Sequence, residues 1–287
     1  MIQKKRKGQT SRRKRPAKRS VRRRIPIVLT IAGSDCSGGA GLQADLKTFT
    51  TLGVYGTTAV TCVVAEHPER VARIDPLPVA SVKAQIEMVL EAFPVAAIKT
   101  GMLFSREIVM ATADVLRRKA KGIPLVIDPV MMASAGGRLL KPDALRALEK
   151  HLIPLGALVT PNVDEAIRLL DGYQPRSLNE EHWLQKMASM LYEKYRVPFL
   201  VKGGHGKTRA AIDVLCSKKG RCVYRALRIG KLSLHGTGCT YSAAIAAGLA
   251  KGLSLESAIA DGKKFISRAI RTHHQLGRYQ ALNQLPG

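Results

Sequence analysis

The sequence predicts an α/β fold with a central, mostly parallel sheet covered by helices on both faces. From Ile25 onward, short runs rich in Val, Ile and Leu alternate with helical patterns. Those runs are apolar throughout instead of alternating with polar residues, as strands buried on both faces are. After residue 199 three strand-like runs are joined only by short Gly and Lys turns, which suit antiparallel pairing, so the sheet is mixed.

The elements follow in order. "IPIVLTIAG" (25–33) is the first strand, and the glycine-rich stretch behind it opens a helix over about 39–52. "YGTTAVTCVVA" (55–65) is dense in β-branched residues and reads as the second strand. "VAAIKTG" precedes a helix near 105–121, and "IPLVIDPV" precedes a helix near 142–150. "GALVTP" leads into a short helix from Val163, and a longer helix covers about 179–196. "FLVKGG" (199–204), "AAIDVLCS" (210–217) and "RCVYRALRI" (221–229) are the antiparallel runs. Two long helices, about 237–251 and 254–276, close the fold.

Composition narrows the function class. The chain has 287 residues and a net charge of +26, from 47 Lys and Arg against 21 Asp and Glu. Residues 1–24 hold 13 of those bases and no acid, so half of the excess lies in a terminal tail. With almost no apolar content this tail cannot offset chain entropy, and it is expected to be a disordered extension of a single α/β domain spanning 25–287. It reads either as a basic arm contacting RNA nonspecifically through phosphates, or as an extension without specific function, including an over-called translation start. It lacks the apolar core of a secretory signal. No apolar run approaches the roughly 20 residues of a membrane span. Five cysteines with no C-x-x-C pair argue against a disulfide framework or zinc site and suit a reducing cytoplasm.

Three glycine-rich stretches compete as phosphate sites. "SGGAGLQA" (37–44) contains a G-x-G-x-x-A match to the dinucleotide fingerprint, but no acid closes the next strand except Glu66. "GGHGKT" (203–208) fails as a P-loop, because the required earlier Gly falls at Val201 and the run that follows is strand-like. Lys202 nevertheless stands where a strand end can hold an ammonium against a phosphate. The third stretch, "LHGTGCTYSAAIAAGLAKG" (234–252), starts a helix of small residues at Gly236, Thr237 and Gly238. Their unobstructed N–H groups and the helix dipole form an anion hole for a transferred phosphoryl group. Cys239 is the first side chain able to point into it. A thiol at a helix N-terminus commonly has a lowered pKa, so Cys239 is either a thiolate base or an inert small core residue.

Six motifs occur in one order: "LTIAGSDCSGGAGLQADLKTF" (29–49), "KTGML" (99–103), "DPVM" (128–131), "TPNVDEA" (160–166), "VKGGH" (201–205) and "HGTGCTYSAAIAAGLAKG" (235–252). Together, over about residues 27–270, they resemble the hydroxymethylpyrimidine/phosphomethylpyrimidine kinases of thiamine biosynthesis, in the ribokinase-like superfamily. The resemblance implies a three-layer αβα sandwich, ATP as phosphoryl donor, Mg²⁺, and a homodimer. It implies two successive transfers, to the hydroxymethyl oxygen of 4-amino-5-hydroxymethyl-2-methylpyrimidine and then to its monophosphate. Gly33, Asp45 and Val130 would line the pyrimidine pocket, with Met102 near the ring. Asn162 and Glu165 would hold Mg²⁺ and its waters. Lys202, Gly204 and Thr237 would meet the nucleotide, Gly236 to Gly238 would be the anion hole, and Cys239 takes the place of the Asp base of related sugar kinases.

Simpler readings stand beside these. Asp45 can be a solvent-facing helix residue, Asp128 a turn residue before Pro129, and Glu165 a first-turn acid favoured by the helix dipole. His205 and His235 read as pocket-edge or structural histidines, and Asp213 as a hairpin-face residue. One departure concerns specificity. Family members usually carry Gln in "VAQNT", whereas this chain has "VAEHP", placing Glu66 where an amide reads the pyrimidine edge. Vitamin B6 kinases also vary here, so pyridoxal kinase is the alternative activity. An RNA-binding protein on a retired kinase scaffold is the alternative from another class.

Overall fold

The computed structural model describes residues 24–132, 139–173, 179–204, 209–229 and 234–285. All of the basic tail before Arg24, and His205, lie outside them. The strands are β1 (Ile27–Asp35), β2 (Tyr55–His67), β3 (Arg70–Pro76), β4 (Val95–Thr100), β5 (Leu125–Ile127), β6 (Leu158–Val159), β7 (Phe199–Lys202), β8 (Ala210–Ser217) and β9 (Gly220–Leu227). They form one sheet in the order β3-β2-β1-β4-β5-β6-β7-β8-β9. From β2 to β7 every pairing is parallel, while β3 at one edge and β8 and β9 at the other are antiparallel. The mixed sheet expected from the short turns after residue 199 is therefore present.

Successive residues of the central strands feed two cores, as side-chain alternation requires. Leu29, Ile98, Ile127, Val159 and Val201 pack with α2 (Val79–Ala92), α3 (Arg106–Lys119), α4 (Pro142–Ala147), α5 (Val163–Leu169) and α6 (Glu180–Tyr195). Their neighbours Val28, Ala97, Val126, Leu158 and Leu200 pack on the other face with α1 (Gly41–Thr51), α7 (Thr237–Ala250) and α8 (Leu255–Arg271). This is the three-layer αβα sandwich. The small residues of α7 have a packing reason, since a Cβ on Gly248 of α7 would sit 3.0 Å from Ala258 Cβ of α8. Small side chains let α7 lie between the sheet and α8.

Five elements depart from the sequence reading. β3 and α2 occupy a stretch in which no element was expected. β3 is an edge strand with mostly exposed side chains, and α2 buries only Val82 and Ile86 completely. α8 ends at Arg271, and a small hairpin of β10 (His274–Leu276) and β11 (Tyr279–Ala281) follows, turning at Gly277 with φ +57.

Candidate active site

The carboxyl ends of the parallel strands lie together, where open α/β sheets hold their ligands. From them rises a buried series of alternating charges. Lys99, near the end of β4, is fully buried, and its Nζ donates to both oxygens of Asp45 on α1, at 2.9 and 2.8 Å. Thr30 Oγ1 donates to the same carboxylate at 2.6 Å. Burial pushes the Asp45 carboxyl up and Lys99 pulls it back. Burial alone would lower Lys99, but Asp45, Cys239 and Asp128 raise it well above the ordinary lysine value. Asp45 is therefore neither solvent-facing nor open to a ligand: it has no exposed surface, and it acts on the pocket by fixing Lys99.

A second pair follows. Asp128, just after β5, accepts from Lys202 Nζ at 3.1 Å, Ser242 Oγ of α7 at 3.1 Å and Thr160 Oγ1 at 3.3 Å. Burial works against its charge, but Lys202 and Lys99 win and hold its carboxyl below the usual range. Asn162 and Glu165 form a capping box at the start of α5: Asn162 Oδ1 accepts from the Glu165 N–H, and Glu165 Oε2 accepts from the Asn162 N–H, both at 2.8 Å. The simpler reading of Glu165 as a first-turn acid is thus partly right. Its setting goes further, because burial and neighbouring Asp128 push its carboxyl up to about 7 against the pull of Lys202.

The N-terminus of α7 faces these charges. Gly236 has φ +79, and a Cβ there would lie 1.8 Å from the Gly39 carbonyl oxygen, so only glycine fits between the two glycine-rich turns. A Cβ on Gly238 would lie 3.2 Å from Lys202 Nζ and 3.6 Å from Asp128, which puts the ammonium beside the open N–H groups. Thr237 Oγ1 donates to the Leu234 carbonyl at 2.7 Å. Gly204, two residues beyond Lys202, has open space on its side-chain face.

Cys239 lies between two helix N-termini, bonded to the backbone of Gly41 at the start of α1 and close to Lys99. Even so, burial pushes its thiol up to about 11, with Lys99 opposing and Asp128 adding to the rise. This corrects the expectation of a lowered pKa. Loss of hydration and two nearby carboxylates outweigh the dipoles and one ammonium.

Beside this charge series is a less polar cluster. A Cβ on Gly33 would lie 2.8 Å from Cys62 Sγ and 3.5 Å from Met102 Sδ. Cys62 and Met102 pack in one cluster, with Val130 against it. Glu66, near the end of β2, is half-buried and within 4.8 Å of Asp35 and His235. Gly33, Met102, Val130 and Glu66 are therefore gathered on one side of the charges.

The sequence matches the phosphomethylpyrimidine kinase family over residues 35–283. The chain belongs to that family. It is 43% identical over 251 residues to the hydroxymethylpyrimidine/phosphomethylpyrimidine kinase of Rhizobium meliloti, covering 87% of this chain and 92% of the relative. The ADP complex of Bacillus subtilis pyridoxal kinase superposes with a TM-score of 0.82 at 34% identity, over 91% of this chain and 98% of that one. Phosphomethylpyrimidine kinase from Clostridium difficile superposes with a TM-score of 0.74 at 37% identity, over 86% and 100%.

This member of the phosphomethylpyrimidine kinase family also uses residues that sequence reasoning left unassigned. Lys99 lies inside a quoted motif without a role and Asp128 reads from sequence as a turn residue, yet they join the two ion pairs. Asp213 does lie on a hairpin face, opposite Tyr224, but that face is covered: it is buried and accepts from Lys263 Nζ at 2.6 Å and from the Gly203 N–H at 3.2 Å. That fixes the turn beside Lys202. His235 is structural in that its Nε2 lies 3.0 Å from Asp35.

Proposed function

We propose that the enzyme transfers the γ-phosphoryl group of ATP to the hydroxymethyl oxygen of 4-amino-5-hydroxymethyl-2-methylpyrimidine, and then a second one to the monophosphate, in thiamine biosynthesis. The observation that carries this reading is the position of Lys202, paired to Asp128 and next to Gly238. Phosphoryl transfer depends chiefly on positioning and charge neutralisation. Gly236, Thr237 and Gly238 offer N–H groups to the transferred phosphoryl oxygens, Lys202 and Gly204 face the nucleotide, and Cys239 stands where the attacking hydroxyl loses its proton. Gly33, Met102 and Val130 bracket the pyrimidine ring while Glu66 meets its polar edge, and the Asp45–Lys99 pair underlies both halves.

Mg²⁺ fits the donor set, which is all oxygen: the Glu165 and Asp128 carboxylates and the Asn162 amide oxygen. The upward push on Glu165 is what a nearby dication would relieve. When bound, the ion neutralises phosphate charge. We place residues 25–287 in the catalytic unit, acting as a cytoplasmic homodimer, with the basic tail as an RNA-contacting arm. Among the described residues no helix is long and apolar enough to cross a membrane.

Lys202→Ala is expected to lower kcat/KM for ATP by on the order of 10²-fold, as loss of a preorganised charge donor does. Glu165→Gln should raise the Mg²⁺ concentration for half-maximal rate by about tenfold or more. Wild-type kinetics in both variants, each still melting cooperatively, would place the nucleotide elsewhere.

Specificity tests the substrate. Pyridoxal offers a phenolate oxygen and an aldehyde, both acceptors, so an accepting Glu66 oxygen is left unpaired whether or not the carboxyl is protonated, whereas the pyrimidine offers an amine donor beside a ring-nitrogen acceptor. Poorly paired buried polar groups discriminate strongly. In a coupled assay with both alcohols, kcat/KM for the pyrimidine should exceed that for pyridoxal by at least roughly tenfold, or about 1.4 kcal/mol. A preference for pyridoxal would replace this reading with that of a vitamin B6 kinase.

A further inference from the structure

Three ionisable side chains from separate parts of the chain meet beside the carboxyl ends of β1 and β2. Asp35 ends β1, Glu66 lies near the end of β2 and His235 precedes α7, and their carboxylate and imidazole atoms all fall within 4.8 Å of one another. The Asp35 carboxylate is fully used. Oδ1 accepts from the Ser37 N–H at 2.7 Å, and Oδ2 accepts from the Ala40 N–H at 2.7 Å and Ser37 Oγ at 2.9 Å, with His235 Nε2 at 3.0 Å. Such an oxygen set suits an orienting anchor better than a metal ligand. The His235 side chain is only 9% exposed, and its Nδ1 finds no hydrogen-bond partner among the described residues.

Glu66 is held differently. Its backbone N–H donates to Cys36 Sγ at 3.4 Å, and its carbonyl accepts from that thiol at 3.2 Å. The backbone is thus pinned, while its carboxylate makes no hydrogen bond to the described residues. The groups around it are Asp35 and Cys36 at the end of β1, Cys62 and His67 on β2, Arg70 opposite His67 on β3, and His235.

We propose that Glu66 engages the aminopyrimidine as a neutral carboxylic acid, donating to the ring nitrogen and accepting from the amine, and that the Asp35–His235 pair sets the pH range in which it does so. The inference rests on the reading above that Glu66 faces the pyrimidine. An ionised carboxylate has only acceptors, so it satisfies the amine and repels the ring nitrogen. With one proton added it presents a donor and an acceptor side by side, as an amide does. The surroundings favour that form: burial and the Asp35 charge push Glu66 up, while His235 pulls it back. The His235 imidazole is in turn pushed up, against burial, chiefly by its hydrogen bond to Asp35 and the Asp35 charge. No covalent bond changes. Above the pH at which Glu66 is already neutral, each pyrimidine bound takes up one proton from solvent.

The test is calorimetric titration of the full-length enzyme with 4-amino-5-hydroxymethyl-2-methylpyrimidine, without nucleotide, between about pH 5.5 and 9, in buffers of different ionisation heat. Expected is a Kd that rises about tenfold per pH unit above one inflection, with uptake of about one proton. Glu66→Gln should bind within about tenfold of wild type at low pH, with a flat profile and no uptake. His235→Gln removes the cation that holds the Glu66 proton affinity down, so it should move the inflection to higher pH. A flat wild-type profile, a Glu66→Gln slope equal to wild type, or an unmoved inflection in His235→Gln would overturn the proposal. pH-independent binding with intact phosphorylation defeats this inference alone, whereas no phosphorylation of the pyrimidine at any pH defeats the proposed function.

Discussion

Replacing Lys99 with alanine is expected to destabilise the fold by about 3–5 kcal/mol, the usual result of removing one partner from a buried ion pair. Both side chains of the Lys99–Asp45 pair have no exposed surface, and in the variant the Asp45 carboxylate keeps only Thr30 as donor. A total stability of about 5–15 kcal/mol is typical of a domain, so the loss is a large share. The sign of its pH dependence follows. Asp45 is already raised by burial despite Lys99; without Lys99 only Thr30 opposes burial and the Asp128 charge, so its folded pKa rises further above the unfolded value and the native state binds the extra proton. Stability is then present at low pH and is lost as pH rises through that raised value. The deficit relative to wild type should therefore be larger at pH 8 than at pH 5. Lys99→Met with Asp45→Leu removes both charges at similar volume, and should recover most of the loss. Urea unfolding of the single and double variants measures this. A Lys99→Ala deficit under 1 kcal/mol, or a double variant no more stable than the single, would show that the pair is not the constraint its burial implies.

Lys99 also shows how far the sequence was legible. A lysine inside the otherwise apolar run "VAAIKTG" is a charge that must find a partner. That partner is 54 positions away, on α1, and no spacing rule connects them. Asp128 and Lys202 are 74 positions apart and pose the same difficulty. The six ordered motifs were enough to gather Gly33, Met102, Val130, Lys202 and the Gly236–Gly238 turn, because each sits at a strand end or helix start that its own local pattern marks. β3 was missed because an edge strand with mostly exposed side chains has little apolar pattern. The lowered pKa expected for Cys239 fails for another reason. Position at a helix N-terminus is visible in sequence, but the sign of a pKa shift is decided by burial and by charges that tertiary structure brings in.

That sign shapes the expected behaviour of Cys239→Ala. With the thiol pushed up to about 11, the resting enzyme holds Cys239 protonated near neutrality, and only the rare thiolate can accept a proton. The thiolate fraction grows about tenfold per pH unit below that value. At saturating ATP and pyrimidine, the first transfer in the wild type should therefore accelerate from pH 7 to pH 9. Cys239→Ala should slow it by about 10²-fold or more, as loss of a general base can, and flatten that rise. The second transfer starts from a phosphate that is already ionised, so it needs no base and should change by less than about tenfold. Nucleotide affinity should stay near wild type, since the hole is made of backbone N–H groups at Gly236, Thr237 and Gly238. Single-turnover measurements of each transfer separate these outcomes. Equal slowing of both steps would make Cys239 a packing residue of the hole, and a rise with pH that survives in Cys239→Ala would assign the proton to another acceptor.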